Sequence, residues 1–224
     1  VDQAQLGATP DQLLTTRDGI KRTKGTPRLD EEILDRHILE SPIFPSGDEL
    51  WLDAKKLPKN QDIKVEAKSA TSYAAFDLPQ LLIKKTILKG SGRFQAKLVM
   101  PASDKKGVIA TMRYVSVHQL HSGDAWLSSA CLALNSRLAT YFGLLSSSRL
   151  VANRAEALSG DILDVPLPPV DQIPSLEKLT LSQVDQVVEK AFSLTEAESV
   201  LIADLLDVVY RDGGKQGNEK PGRA

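Results

Sequence analysis

Gly92-Arg93-Phe94-Gln95-Ala96-Lys97-Leu98-Val99-Met100 alternates with a period of two. Phe94, Ala96, Leu98 and Met100 fall on one side, Arg93, Gln95 and Lys97 on the other. Successive side chains of a strand point to opposite faces, so this stretch predicts a strand that buries one side and presents cations and an amide on the other. Gly90-Ser91-Gly92 marks a turn before it, and the apolar run Leu81-Leu82-Ile83, ending in Lys84-Lys85, supplies a preceding strand. Pro101 to Gly107, with Lys105-Lys106, reads as a turn, and Val108 to Val117, carrying Arg113 and Tyr114, as a further strand. A hairpin from Arg93 to Val117, basic on its open face and tip, is the expected centre of the fold.

Outward from this centre the pattern changes. Val1 to Arg28 is polar and glycine-containing, with a small basic cluster from Arg17, and reads as loop or extended chain. Asp30 to Glu40 predicts a short helix: Asp30 can cap it, and Ile33, Leu34, His37 and Ile38 repeat at helical spacing before Pro42 and Pro45. Phe44 to Asp77 is irregular, with a short strand near Ile63 to Ala67, and its Trp51 reads as a core anchor in preference to a base-stacking platform. On the other side, Asp124 is a candidate N-cap for one buried helix running to about Leu145. Ile162 to Pro169 holds three prolines and is expected to be extended. Ser182-x-x-Asp185 and Thr195-x-x-Glu198 each announce a helix. Val184, Val187, Val188 and Ala191 are expected to line the first, and Leu201, Leu205, Val208 and Val209 the second; Lys215 to Ala224 reads as a disordered tail. The expected fold is α+β: a twisted antiparallel sheet with flanking helices and a small helical C-terminal extension.

The chain has 224 residues with 28 Lys+Arg against 29 Asp+Glu. That balance hides an asymmetry. Gln80 to Gly123 carries eight bases and one acid, net +7; Glu156 to Asp212 carries twelve acids and three bases, net −9. Such a field gathers polyanions over one region and repels them from another; two ordinary solvated faces of opposite sign are the competing reading. A hydrophobic fraction of 42% without a long apolar run argues for a soluble, cytoplasmic domain with no membrane span. A start at Val1 within polar sequence, without a basic-then-apolar leader, suggests a piece of a longer protein that is not secreted.

Little of the chain suits catalysis. The single cysteine, Cys131, excludes an internal disulfide and a multi-thiolate zinc site, and its Ala- and Leu-rich surroundings make it a small hydrophobe. His118-x-x-His121 with Asp124 imitates a metal triad, but no further ligand follows at a recognisable spacing. Gly90-Ser91-Gly92 lacks the spacing and following helix of a nucleotide loop. No nucleophile and base are paired, and Asp161 and Asp164 have nothing to separate their pKa values. The expectation is a chain with no catalytic centre, no metal and no cofactor of its own.

Three ordered stretches decide the functional reading. Leu78-Pro79-Gln80-Leu81-Leu82-Ile83-Lys84 precedes Gly92-Arg93-Phe94-Gln95-Ala96-Lys97-Leu98; Leu132-Ala133-Leu134-Asn135-Ser136-Arg137-Leu138-Ala139-Thr140-Tyr141-Phe142 follows; Asn153-Arg154 and Asp161-Ile162-Leu163-Asp164-Val165-Pro166-Leu167-Pro168 close the set. Together they resemble the C-terminal target-recognition (specificity) domain of bacterial adenine-N6 DNA methyltransferases of the restriction-modification and phage-defence type. In that family a Pro-x-x-Leu-Ile-Lys strand, a Leu-Asn-Ser helix and a closing Pro-x-Pro segment recur. The resemblance covers about Phe76 to Pro169. The family's cofactor glycine motif and Asn/Asp-Pro-Pro-aromatic tetrapeptide are absent here. The resemblance therefore implies the DNA-reading part alone, with S-adenosylmethionine and methyl transfer left to a catalytic domain in the same polypeptide or a partner subunit. The implied division is 1–75, a poorly defined segment with one short helix; 76–170, the recognition core; 171–212, an acidic helical extension; and 213–224, the tail.

Duplex DNA is the partner this reading implies, and the residues divide by task. Lys84, Lys85, Lys89, Lys105 and Lys106 suit phosphates. Arg93, Gln95, Lys97 and Arg113 suit base edges, since Arg pairs with guanine and Gln with adenine in the major groove. Arg149, Asn153 and Arg154 are further candidates, whereas Asn135 and Ser136 are expected to satisfy buried backbone groups. Two alternatives stand beside this: an assembly module that docks through the acidic C-terminal helices, and a complete small enzyme.

Overall fold

The computed structural model describes residues 13–21, 27–29, 31–40, 44, 47–66, 76–88, 92–100, 106–120, 125–147 and 159–212. Nine strands occur among them: β1 (Leu14–Asp18), β2 (Pro27–Leu29), β3 (Ile38–Leu39), β4 (Trp51–Asp53), β5 (Lys64–Glu66), β6 (Leu81–Leu88), β7 (Arg93–Met100), β8 (Ile109–Ala110) and β9 (Tyr114–Gln119). The helices are α1 (Ala125–Asn135), α2 (Arg137–Ser146), α3 (Ser159–Leu163), α4 (Val184–Ala191) and α5 (Glu196–Asp212). The fold is α+β. Its main sheet runs β1-β9-β6-β7-β4, with two-stranded pairs β2-β5 and β3-β8 beside it.

The alternation in Arg93 to Met100 does produce a strand, but it pairs antiparallel with β6, Leu81 opposite Leu98 and Lys84 opposite Gln95. β6 lies between β7 and β9, so the expected hairpin from Arg93 to Val117 does not form. Antiparallel pairing continues through β9 to β1. The edge strand β4 joins β7 in parallel, Trp51 beside Leu98, so the sheet is mixed. Its two outer strands come from before residue 76. Leu14-Thr15-Thr16 is polar enough to read as loop, yet Leu14 is buried and the β-branched threonines suit an edge strand.

Each face of the sheet packs a core. Leu81, Ile83, Phe94, Ala96, Val115 and Val117 meet Leu127, Ala130 and Leu134 of α1, and α4 and α5 complete this side through Val184, Val188, Ile202 and Leu206. On the opposite face Leu82, Val99 and Tyr114 pack with Phe44, Leu52, Leu57 and Ala110. Burying such side chains contributes about 1.5–3 kcal/mol each, which is what holds three layers together.

Several expectations are corrected. The helix at 30–40 is a 3-10 turn, Glu31–Ile33, followed by β3. Asp35 adopts a left-handed φ of 58°, and backbone pairing goes sideways: Asp35 N–H donates to Asn60 O at 2.9 Å and Asn60 N–H to Arg36 O at 2.7 Å. Ile33 and Ile38 are buried by this tertiary packing, not by helical amphipathicity. The single helix expected to Leu145 is two, because Ser136 is extended (φ −84°, ψ 157°) and its Oγ accepts from Ala139 N–H as the N-cap of α2. Ile162 and Leu163 end α3, and only the residues after them are irregular. Val108 to Val117 is split, Thr111 to Arg113 forming a turn between β8 and β9.

At the C-terminus the Thr195–Glu198 capping box forms, Glu198 Oε2 accepting from Thr195 N–H at 2.8 Å. The cap before α4 is Thr180–Gln183 instead of Ser182–Asp185, with Gln183 Oε1 accepting from Thr180 N–H at 3.0 Å. On α5 the buried residues are Ile202 and Leu206, while Leu201 and Val208 are more than half exposed. The expected face is one helical step off, since Ile202 and Leu206 share their stripe with Ser199 and Tyr210. Among the described residues no helix is long and apolar enough to cross a membrane. The tail beyond Asp212 lies outside the described residues.

Candidate nucleic-acid interface

The hairpin row predicted to face solvent is largely spent on internal contacts. Arg93 turns toward the helices: its guanidinium bonds the Asp185 carboxylate of α4 and donates to Asn135 O at 3.3 Å. Asp185 also accepts from Arg137 N–H at 2.8 Å, so one carboxylate fastens the acidic extension to both the hairpin and the start of α2. Lys97 is buried and donates to Gly47 O at 3.2 Å, beneath the loop that carries Asp48 and Glu49. Gln95 is half-buried, and its Oε1 has no hydrogen-bond partner among the described residues. The polar pleat of β7 is thus not an open basic strip. Alternation announced the face, but it could not announce what would cover that face.

The cations that remain available lie at one end of the sheet. Lys84 stands in a row with Tyr114 and Gln95, and Arg113 is exposed in the turn leading into β9. Arg17 of β1, opposite Ser116, shares the face of Lys84 by register and is exposed. None of these three is in an ion pair with a described residue. Lys85 points to the other face, 2.7 Å from Asp18. Lys106 is exposed too, but its backbone pairs with Asp77 ahead of β6, away from this end. Lys89, Lys105, Arg149, Asn153 and Arg154 lie outside the described residues. Arg17 was absent from the sequence-predicted set; the pairing of Leu14-Thr15-Thr16 as a strand is the signal that places it.

The Leu-Asn-Ser motif has the structural role expected of it. Asn135 Oδ1 accepts from Ala96 N–H at 3.1 Å, and its Nδ2 donates to Ala96 O and Cys131 O, both at 2.8 Å. Ala96 lies on β7 short of the span paired with β4, so the carboxamide takes the place of a neighbouring strand. Cys131 is buried, and burial pushes its thiol up to about 12, with hydrogen bonds pulling the other way. Among the described residues no cluster of His, Cys, Asp and Glu is arranged to hold a metal; His118 Nδ1 lies 3.1 Å from Pro79 O, and His121 and Asp124 are outside them.

Burial sets the alkaline behaviour. Tyr114 and Tyr210 are likewise raised to about 12 by burial. With Cys131, these groups ionise more easily in the unfolded chain, so their contribution is present below about pH 9–10 and is lost as pH rises toward 12. Lys97 runs the other way. Burial lowers its pKa, against the opposing pull of Glu49, so the unfolded chain binds the extra proton and the penalty fades as pH approaches 10.5. The stability difference between wild type and Lys97→Met is therefore expected to shift toward wild type between neutral pH and pH 10.5, read by urea melts at several pH values. A difference that is flat with pH contradicts this.

No family model and no curated protein matches the chain. Among solved structures, the type IIG restriction endonuclease BpuSI aligns over 94% of this chain and 32% of its own, at 9% identity and a TM-score of 0.54. A chain from a structure of the type I restriction-modification system aligns over 92% of this chain and 44% of its own, at 12% identity and a TM-score of 0.36. Both of these are structures of restriction-modification proteins. The first shares this chain's fold, and this chain spans about a third of that neighbour's length.

Proposed function

We propose that this chain is the DNA target-recognition module of a cytoplasmic restriction-modification protein. It reads duplex DNA for an adenine-N6 methyltransferase domain in the same polypeptide or a partner subunit, and that domain uses S-adenosylmethionine. The observation that carries the reading is the likeness in fold to a type IIG restriction endonuclease along nearly the whole chain. The ordered Leu78–Lys84, Gly92–Leu98 and Leu-Asn-Ser motifs support it, as do the cations Arg17, Lys84 and Arg113, which have no ion-pair partner among the described residues. These three are the proposed phosphate contacts; Arg93 and Lys97, read from the sequence as base-edge contacts, act as framework.

Duplex binding followed across a salt series tests this. Each neutralised phosphate contributes about −0.9 to the slope of log K against log salt. The Arg17→Ala, Lys84→Ala, Arg113→Ala triple variant should therefore flatten that slope by about 2.7. Salt-independent binding, or an unchanged slope in the triple variant, overturns the proposal. The alternative of an assembly module draws support from Leu201 and Val208, 58% and 53% exposed on α5. It requires a partner captured by wild type to be lost on Leu201→Ser, Val208→Ser substitution and retained by the cation variant.

A further inference from the structure

Trp51 belongs to neither core. It is half-buried on the edge strand β4 and lines a cleft of about 940 Å3 with Leu78, Pro79, Met100, Pro174 and Glu177. The ammonium of Lys56 stands 5.8 Å from the ring centroid. Lys55 and Lys56 are both exposed on a 3-10 turn that Asp53 fixes by accepting from Lys55 N–H at 3.0 Å. An aromatic wall in an apolar cleft, with two cations at the same strand end, suits a flat ring that carries an anion. The exposed carboxylate of Glu177 on the wall disfavours a bare anion, and it can accept from the exocyclic amino group of adenine or cytosine.

We propose that this cleft binds an unpaired nucleotide, its base against Trp51 and its phosphate by Lys55 and Lys56. The volume lies within the range of small-ligand sites. Base–aromatic stacking is tolerant of sequence, which fits a module that meets many DNA sequences. The inference rests on the DNA reading for its choice of polymer, but it uses residues apart from the Arg17–Lys84–Arg113 end.

Titration of the full chain with a single-stranded dA/dC 12-mer tests it by tryptophan fluorescence. The only other tryptophan, Trp126, packs on the helical core. Quenching is expected in wild type. Trp51→Leu should bind the single strand about 5- to 150-fold more weakly, as loss of one stack implies, while its duplex affinity stays within twofold. Lys55→Gln, Lys56→Gln leaves the packed layers untouched and should flatten the single-strand salt slope by about 1.4. Unchanged single-strand affinity in Trp51→Leu overturns the inference, as does a polyproline decamer that quenches Trp51 where the single strand does not. Absence of all nucleic-acid binding in wild type sinks the DNA reading itself; salt-dependent duplex binding with no Trp51 response sinks this site alone.

Discussion

Replacing Asn135 by aspartate is expected to destabilise this chain by about 3–5 kcal/mol, the largest effect of any single near-isosteric change. The side chain is 2% exposed and satisfies three backbone groups at once. A carboxylate keeps no donor for Ala96 O or Cys131 O and sets negative charge against both carbonyls. For a chain of this size each kcal/mol moves the melting temperature by about 2–4 °C, so a fall of about 6–20 °C follows. The pH dependence has a defined sign. A carboxyl buried there holds its proton more tightly folded than unfolded, so the deficit is smallest below about pH 4 and grows as pH rises. Thermal melts at pH 4 and pH 8 check both statements, and a variant that melts within 2 °C of wild type at pH 8 removes the sheet-edge role assigned to Asn135.

Asp185→Ala is the second large effect. Arg93 and Asp185 side chains are 20% and 19% exposed, too buried for water to take over the lost partner. Removing the acid strands a guanidinium and also frees Arg137 N–H at the start of α2. We expect a loss of about 2–3 kcal/mol, somewhat below the cost of breaking a fully buried pair. The Arg93→Met, Asp185→Leu double variant should recover much of it, because neither charge is then left alone. Denaturant melts of the two single variants and the pair give the coupling directly. Additive losses mean that the acidic extension is not fastened through this contact.

Much of the framework was legible in the sequence. Phe94, Ala96 and Leu98 announced β7 because a half-buried strand must alternate, and Thr195–Glu198 announced α5 because a helix start must satisfy its own N–H groups. Both are local rules. What escaped them depended on distant partners. Ile33 and Ile38 looked helical until Asn60 took the backbone groups between them, and Leu14-Thr15-Thr16 looked like loop until β9 lay beside it. The candidate site suffered more for the same reason. A charged residue on a strand face is equally compatible with solvent and with a carboxylate 92 positions later in the chain, as Arg93 demonstrates. Lys97 was read as a groove contact because nothing near it in sequence reveals the loop at Gly47.

The placement of β1 and β4 has a consequence for how the chain is made. Both outermost strands leave the ribosome before β6, β7 and β9, the three strands between which they must later be separated. Trp51 has to wait for Leu98, and Leu14 for Gln119, before either finds its neighbour. Translation therefore delivers the borders of the sheet ahead of its interior, and such long-range closures slow folding. Synthesis halted before Arg93 would leave both border strands with no neighbour in the main sheet on which to settle.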